Sequence, residues 1–179
     1  MRPLFLLLAL ATLSACQVDD SSAAPPDALE SETAEATSVT LPASTVAPAD
    51  APTMTVYKSP TCGCCSMWVE HMEAAGFDVE SVDRDDMGAV KDSLGVPSHL
   101  SSCHTGVIGD YVVEGHVPAE HVARMLEEAP DAEGLAVPGM PVGSPGMEMG
   151  DRRDPYDVVV FDEAGDGAVF AHVEGNTAP

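Results

Sequence analysis

The segment MTVYKSPTCGCCSMWVEHMEAAGFDVESVD, residues 54–83, decides how the rest of the chain is read. Thr55, Val56 and Tyr57 favour extended structure and open the segment as a short strand. After Thr61 the period changes. Trp68, Val69, Met72 and Ala75 recur at helical spacing, and Gly76 suits the position just past a helix end. FDVESVD, residues 77–83, then alternates as a second strand. Cys62, Cys64 and Cys65, three of the five cysteines in the chain, stand where the first strand passes into the helix.

Reading outward, DDMGAVKDSLG (85–95) is a short helix, with Asp85 and Asp86 near its positive end and Gly95 after it. HTGVIGDYVVEGHV (104–117) reads as a hairpin turning at Gly109-Asp110, and PAEHVARMLEEAP (118–130) as a helix with Pro118 in its first turn and Pro130 as its stop. The order β-α-β-α-β-β-α is that of a thioredoxin-like domain, and Pro97 stands where such folds often carry a proline facing the redox pair. A Pro/Gly-rich loop holding Met140, Met147 and Met149 follows. The strands Asp157–Asp162 and Ala168–Val173 make a second hairpin around Gly165-Asp166-Gly167, which extends the sheet or covers that loop. DEAGDG lacks the ligand spacing of a calcium loop and reads as a plain turn. The expected fold is α/β: a thioredoxin-like central sheet with flanking helices, plus a C-terminal Met-rich loop and β-hairpin.

The N-terminal part is of another kind. MRPLFLLLALATLSAC carries Arg2 and an apolar block from Leu4 to Leu13 that is short for a membrane span and suits an export signal. LSAC, Leu13–Cys16, resembles a bacterial lipobox, in which Cys16 is lipidated after cleavage. An ordinary export signal that happens to contain a cysteine is the other reading. Both send the chain out of the cytoplasm and remove Cys16 from the chemistry. Residues 17–53 are mostly Ser, Thr, Ala, Pro and acids and hold no Lys, Arg or aromatic side chain, the composition of a disordered tether. The expected organisation is therefore a lipoprotein signal at 1–16, a tether at 17–53 and a thioredoxin-like domain at 54–179, held on the periplasmic side of a lipid bilayer. Thirty acidic against 7 basic residues give a net charge of −23, which repels nucleic acid and fits a solvated surface.

Cys62 and Cys65 are spaced C-x-x-C at a helix start, where unpaired N–H groups and the helix dipole favour thiolate. One reading is thiol–disulfide exchange, with Cys62 attacking and Cys65 resolving. Cys64 lies inside the motif, and Cys103 lies on the segment expected to return beside it. Four thiols exceed what a dithiol exchanger needs and suit a soft metal. The spacing C-x-C-C plus one remote cysteine is cramped for a single tetrahedral zinc, whereas adjacent thiolates can bridge several Cu(I) ions. Thioethers in the Met-rich loop would add soft donors, while Met72 and Met125 fit a helical core stripe.

SPTCGCC (59–65), VPSHLSSCHTGVI (96–108), YVVEGHVP (111–118) and GLAVPGMPVGSPGMEMG (134–150) together resemble the CopG-type periplasmic copper-resistance family, long filed as a domain of unknown function. The resemblance covers roughly residues 54–173. It implies a thioredoxin-like fold, copper held at Cys62, Cys64, Cys65 and Cys103, a multinuclear Cu(I)–thiolate cluster, a role in copper handling alongside other periplasmic copper proteins, and a copper redox activity. Met147, Met149 and His104 are the candidate accessory ligands, with His99 behind them. His116, at a hairpin end, is expected to make a structural hydrogen bond. Met67 shares a helix face with Cys64, but His71 lies about 10 Å along the helix, too far to share an ion. His121 and His172 read as surface residues.

Overall fold

The computed structural model describes residues 46–176. Its elements are β1 (Met54–Lys58), α1 (Gly63–Ala74), β2 (Val79–Asp83), α2 (Met87–Ser93), a 3-10 turn (Ser98–Leu100), β3 (Thr105–Ile108), β4 (Tyr111–Glu114), α3 (Ala119–Glu128), β5 (Gly134–Ala136), β6 (Tyr156–Phe161) and β7 (Gly167–Val173). One mixed sheet holds all seven strands in the order β2-β1-β3-β4-β5-β6-β7. The expected signal at 1–16, its Cys16, and most of the expected tether lie outside the described residues. The tether's last residues join the fold: the N–H groups of Val46 and Ala47 donate to Ala75 O at 2.9 and 3.0 Å, and Ala47 and Ala51 pack on the core. Among the described residues, no helix is long and apolar enough to cross a membrane.

The first strand organises the site. β1 pairs with β2 in parallel and with β3 antiparallel, Met54 facing Val79 on one side and Ile108 on the other. The parallel pair needs a crossover, and α1 supplies it. Trp68, Val69 and Met72 of α1 meet Val122 and Met125 of α3 over Met54, Val56, Ile108 and Val113. Val112 and Ala136 belong instead to a second cluster with Val96, Leu100 and Phe161. Val112 and Val113 are successive residues of a strand, so the two clusters lie on opposite sheet faces.

Two chain turns match their sequence signals. Gly109-Asp110 joins β3 to β4, and Gly76 follows α1 at φ 97°. Pro118 is the N-cap of α3 rather than a residue of its first turn. Pro97 caps the 3-10 turn and stands beside Gly165 of the β6–β7 turn, and Cys103, further along the same segment, reaches Cys64. β5 is the element the sequence did not reveal. It pairs with β4 in parallel and with β6 antiparallel, and so makes the C-terminal hairpin an extension of the sheet. Gly134 opens β5 because a Cβ there would fall 1.8 Å from the Val112 carbonyl oxygen.

Candidate metal centre

A sulfur caps α1. Cys62 is the N-cap residue, in extended conformation, and its Sγ accepts the N–H of Cys65 at 3.3 Å, the place usually taken by a Ser or Asp oxygen. Three cysteines on one helix start cannot all face inward: Cys65 is fully buried, while Cys62 and Cys64 are half-buried. A disulfide joins Cys62 to Cys65, and Cys64 and Cys103 are free thiols. Cys64 Sγ lies 3.5 Å from Cys62 Sγ and 3.9 Å from Cys103 Sγ. All four sulfurs fall within 4.8 Å of one another.

Cys103 reaches this point on the segment entering β3, and a buried ion pair holds that segment. Glu114 of β4 is fully buried and takes Lys91 Nζ of α2 at 2.5 Å. The same carboxylate accepts Ser102 N–H at 2.6 Å and Thr105 Oγ–H at 2.6 Å. Those two residues flank Cys103 and His104, so one carboxylate fastens the chain on both sides of the thiol, through the backbone at Ser102 and through the side chain at Thr105.

Two imidazoles complete the centre. His116 Nε2 stands 3.0 Å from Cys103 Sγ, and His104 Nδ1 stands 3.4 Å from it. His116 Nδ1–H donates to Pro145 O at 2.8 Å, which leaves the Nε2 lone pair facing the sulfur. Burial lowers the pKa of His116, and it lowers that of His104 further with help from His116 and Lys91, so both rings are neutral. His104 packs against the Trp68 ring at 4.4 Å between centroids, and its Nε2 finds no hydrogen-bond partner among the described residues. Burial, followed by the neighbouring Cys64 thiol, pushes Cys103 up to about 12. Cys103 is thus a thiol at neutral pH, and an ion must displace its proton to bind.

The Met-rich loop crosses the same end of α1. Gly146, at φ 82°, sits so close that a Cβ there would lie 2.6 Å from Cys64 O and 2.9 Å from Trp68 N. Met147 is the next residue and half-buried, whereas Met149 is 65% exposed and bridges its backbone to Arg152. Met67 and Met140 are exposed, as is His99. His71 caps α3 by accepting Ala119 N–H at 3.2 Å. His121 is half-buried against Phe170, and His172 pairs with Asp157 at the surface. The residue undervalued from sequence is His116. Its structural hydrogen bond exists, but the other nitrogen faces Cys103, and the only signal for that was its place at the end of the strand paired with β3.

The donors are soft or borderline and closely spaced. Two sulfurs bound to one ion at about 2.3 Å stand about 3.8 Å apart, close to the 3.5 and 3.9 Å separations here. Fold and site together define an α/β protein with a cysteine–histidine centre of metal-binding chemistry. A family model described as a protein of unknown function, DUF411, matches residues 100–147, the segment carrying Cys103, His104 and His116. A solved structure described as copper resistance protein CopG, form 1, is 51% identical, with a TM-score of 0.67, and covers 70% of this chain and 100% of its own. Form 2 is 51% identical at a TM-score of 0.66, covering 69% and 99%. No curated protein matches the chain. The chain belongs to the CopG family of copper resistance proteins.

Proposed function

We propose that this protein sequesters Cu(I) outside the cytoplasm, on Cys62, Cys64, Cys65 and Cys103, as a multinuclear thiolate cluster. The observation that carries the reading is the convergence of four sulfurs within 4.8 Å of one another in a chain 51% identical to a copper resistance protein. Sulfur donors select Cu(I) over harder ions, and adjacent thiolates bridge. The N–H of Cys65, already aimed at Cys62 Sγ, supports a thiolate there once the disulfide is opened. His116 and His104 offer neutral nitrogens beside Cys103, and Met147 and Met149 are the thioethers of the covering loop. Copper redox turnover would draw on the same donors.

The sheet order β2-β1-β3-β4, with α1 crossing between parallel β1 and β2 and α3 following β4, supports a thioredoxin-like core to which β5–β7 are added. In the same proposal residues 1–16 are a lipoprotein signal, Cys16 is the lipid attachment point, and residues 17–53 tether the domain on the periplasmic side of a membrane. Other periplasmic copper-handling proteins would then be its partners.

The Cys62–Cys65 disulfide favours a second reading, dithiol exchange without metal. Cu(I) titration of the reduced protein against its Cys64→Ser variant separates the two. The copper reading expects several ions per chain and a clear loss in the variant. An absence of tight copper binding, with a Cys62–Cys65 pair that still cycles in the variant, would leave the exchange reading standing.

A further inference from the structure

The disulfide divides the four sulfurs into two pairs of different fate. Cys62 and Cys65 are joined, and Cys64 and Cys103 remain free thiols 3.9 Å apart. The free pair has a third donor of its own in His116 Nε2, 3.0 Å from Cys103 Sγ. Each member of this trio is held from outside the joined pair. His116 is fixed through Pro145 O, Cys103 through the Glu114 contacts to Ser102 and Thr105, and the Cys64 backbone by the close approach of Gly146. Closing the disulfide therefore leaves a sulfur–sulfur–nitrogen donor set in place.

We infer that the Cys62–Cys65 disulfide gates copper capacity: closed, the protein seats one Cu(I) on Cys64, Cys103 and His116, and open, it seats more. The inference rests on the copper reading above. Three donors suffice because Cu(I) accepts low coordination numbers, and the sulfur separation matches the roughly 3.8 Å expected for two sulfurs sharing one ion. Opening the gate breaks one S–S bond and takes two electrons and two protons to make two thiols. An exogenous dithiol supplies both and leaves as its own disulfide. The released Cys62 sulfur lies 3.5 Å from Cys64 Sγ, so it joins an ion already seated there and bridges to the next.

Cu(I) is titrated without oxygen, under a competing chelator, into the full chain with its disulfide intact and into the same protein reduced. Bound copper is counted by elemental analysis, and cysteines are mapped by alkylation and mass spectrometry. The expected result is one ion per chain in the oxidised protein and at least two in the reduced one. A Cys62→Ser/Cys65→Ser variant holds one ion with or without reductant. His116→Ala weakens the oxidised site by more than the roughly tenfold that loss of a mere outer-shell partner costs a metal site, because His116 is itself one of the three donors, while the reduced protein still takes several ions. An oxidised protein that holds no copper, or as much as the reduced one with Cys62–Cys65 still mapped, overturns the inference, as does a bond that has moved to Cys64. If the reduced protein is also empty, the copper reading itself falls.

Discussion

At the scale of single residues, the centre depends on a glycine that carries no donor. Gly146 brings the Met-rich loop against the first turn of α1 and sets Pro145 O where His116 Nδ1–H finds it. In Gly146→Ala the new Cβ would meet backbone atoms of Cys64 and Trp68, not the end of a flexible side chain. It would also occupy a φ of 82° that L residues avoid. Loop and helix must separate, at a cost of about 1–3 kcal/mol. Urea unfolding should report that loss, and Cu(I) affinity should fall with it because His116 loses its acceptor. A variant as stable as the parent with unchanged copper affinity would show that the loop is not what seats His116. Gly146 was visible in the sequence only as one of several Gly and Pro in a loop, since nothing local says which glycine a distant helix touches. The four cysteines were legible because few roles other than chemistry place such residues together. His116 was not, because a strand-end histidine looks the same whether one ring nitrogen or both are engaged.

At the scale of elements, α2, β3 and β4 meet through the Lys91–Glu114 pair, which fixes the approach of Cys103. Glu114→Ala leaves Lys91 with Thr105 Oγ1 and His104 O as partners and an uncompensated buried charge, a loss of about 3–5 kcal/mol. Lys91→Met/Glu114→Leu removes both charges and restores part of that. It still strands the Ser102 N–H and the buried Thr105 hydroxyl, each at a cost of about 1–3 kcal/mol if no water reaches it. The double variant should thus fold while its Cys103 segment is loosened. Alkylation of Cys103 should be faster than in the parent, with Cys64 serving as the internal reference. Equal rates would mean that the strand pairing alone positions the thiol. The sequence disclosed α1, β1, β2 and the β3–β4 hairpin well, since each shows its own period or turn signal. It hid β5, whose three residues are too few for a period and whose Gly134 answers to the backbone of β4. It hid the ion pair as well, because a lysine in a short helix and a glutamate at a strand end are ordinary surface patterns until tertiary packing buries them together.

At the scale of the whole molecule, the net charge of −23 and the buried histidines act in different pH windows. His71 and His121 both have lowered pKa values, burial being the larger cause in each. A histidine lowered in the fold takes up its proton more readily in the unfolded chain. Its contribution to stability is fully present above about pH 6.5 and is lost as pH falls through the folded value. His172 works the other way: its hydrogen bond to Asp157 raises its pKa, so its contribution is present below about 6.5 and fades as pH rises through the folded value. That pair is exposed and worth little. Protonating the carboxylates would relieve the chain's self-repulsion, but their ordinary range lies near pH 4, below the histidine window. Between about pH 7 and 5 the buried histidines therefore win, and the metal-free, disulfide-closed protein should become less stable as it is acidified. His71→Gln keeps an acceptor for Ala119 N–H and removes one titrating group. Unfolding free energies measured at intervals across that range should fall less steeply in the variant than in the parent, by up to one proton in slope. Because His104 and His116 are the same in both proteins, the difference belongs to His71. Parallel curves would mean that His71 keeps its ordinary pKa in the fold, and that burial at the α1–α3 contact is too wet to shift it.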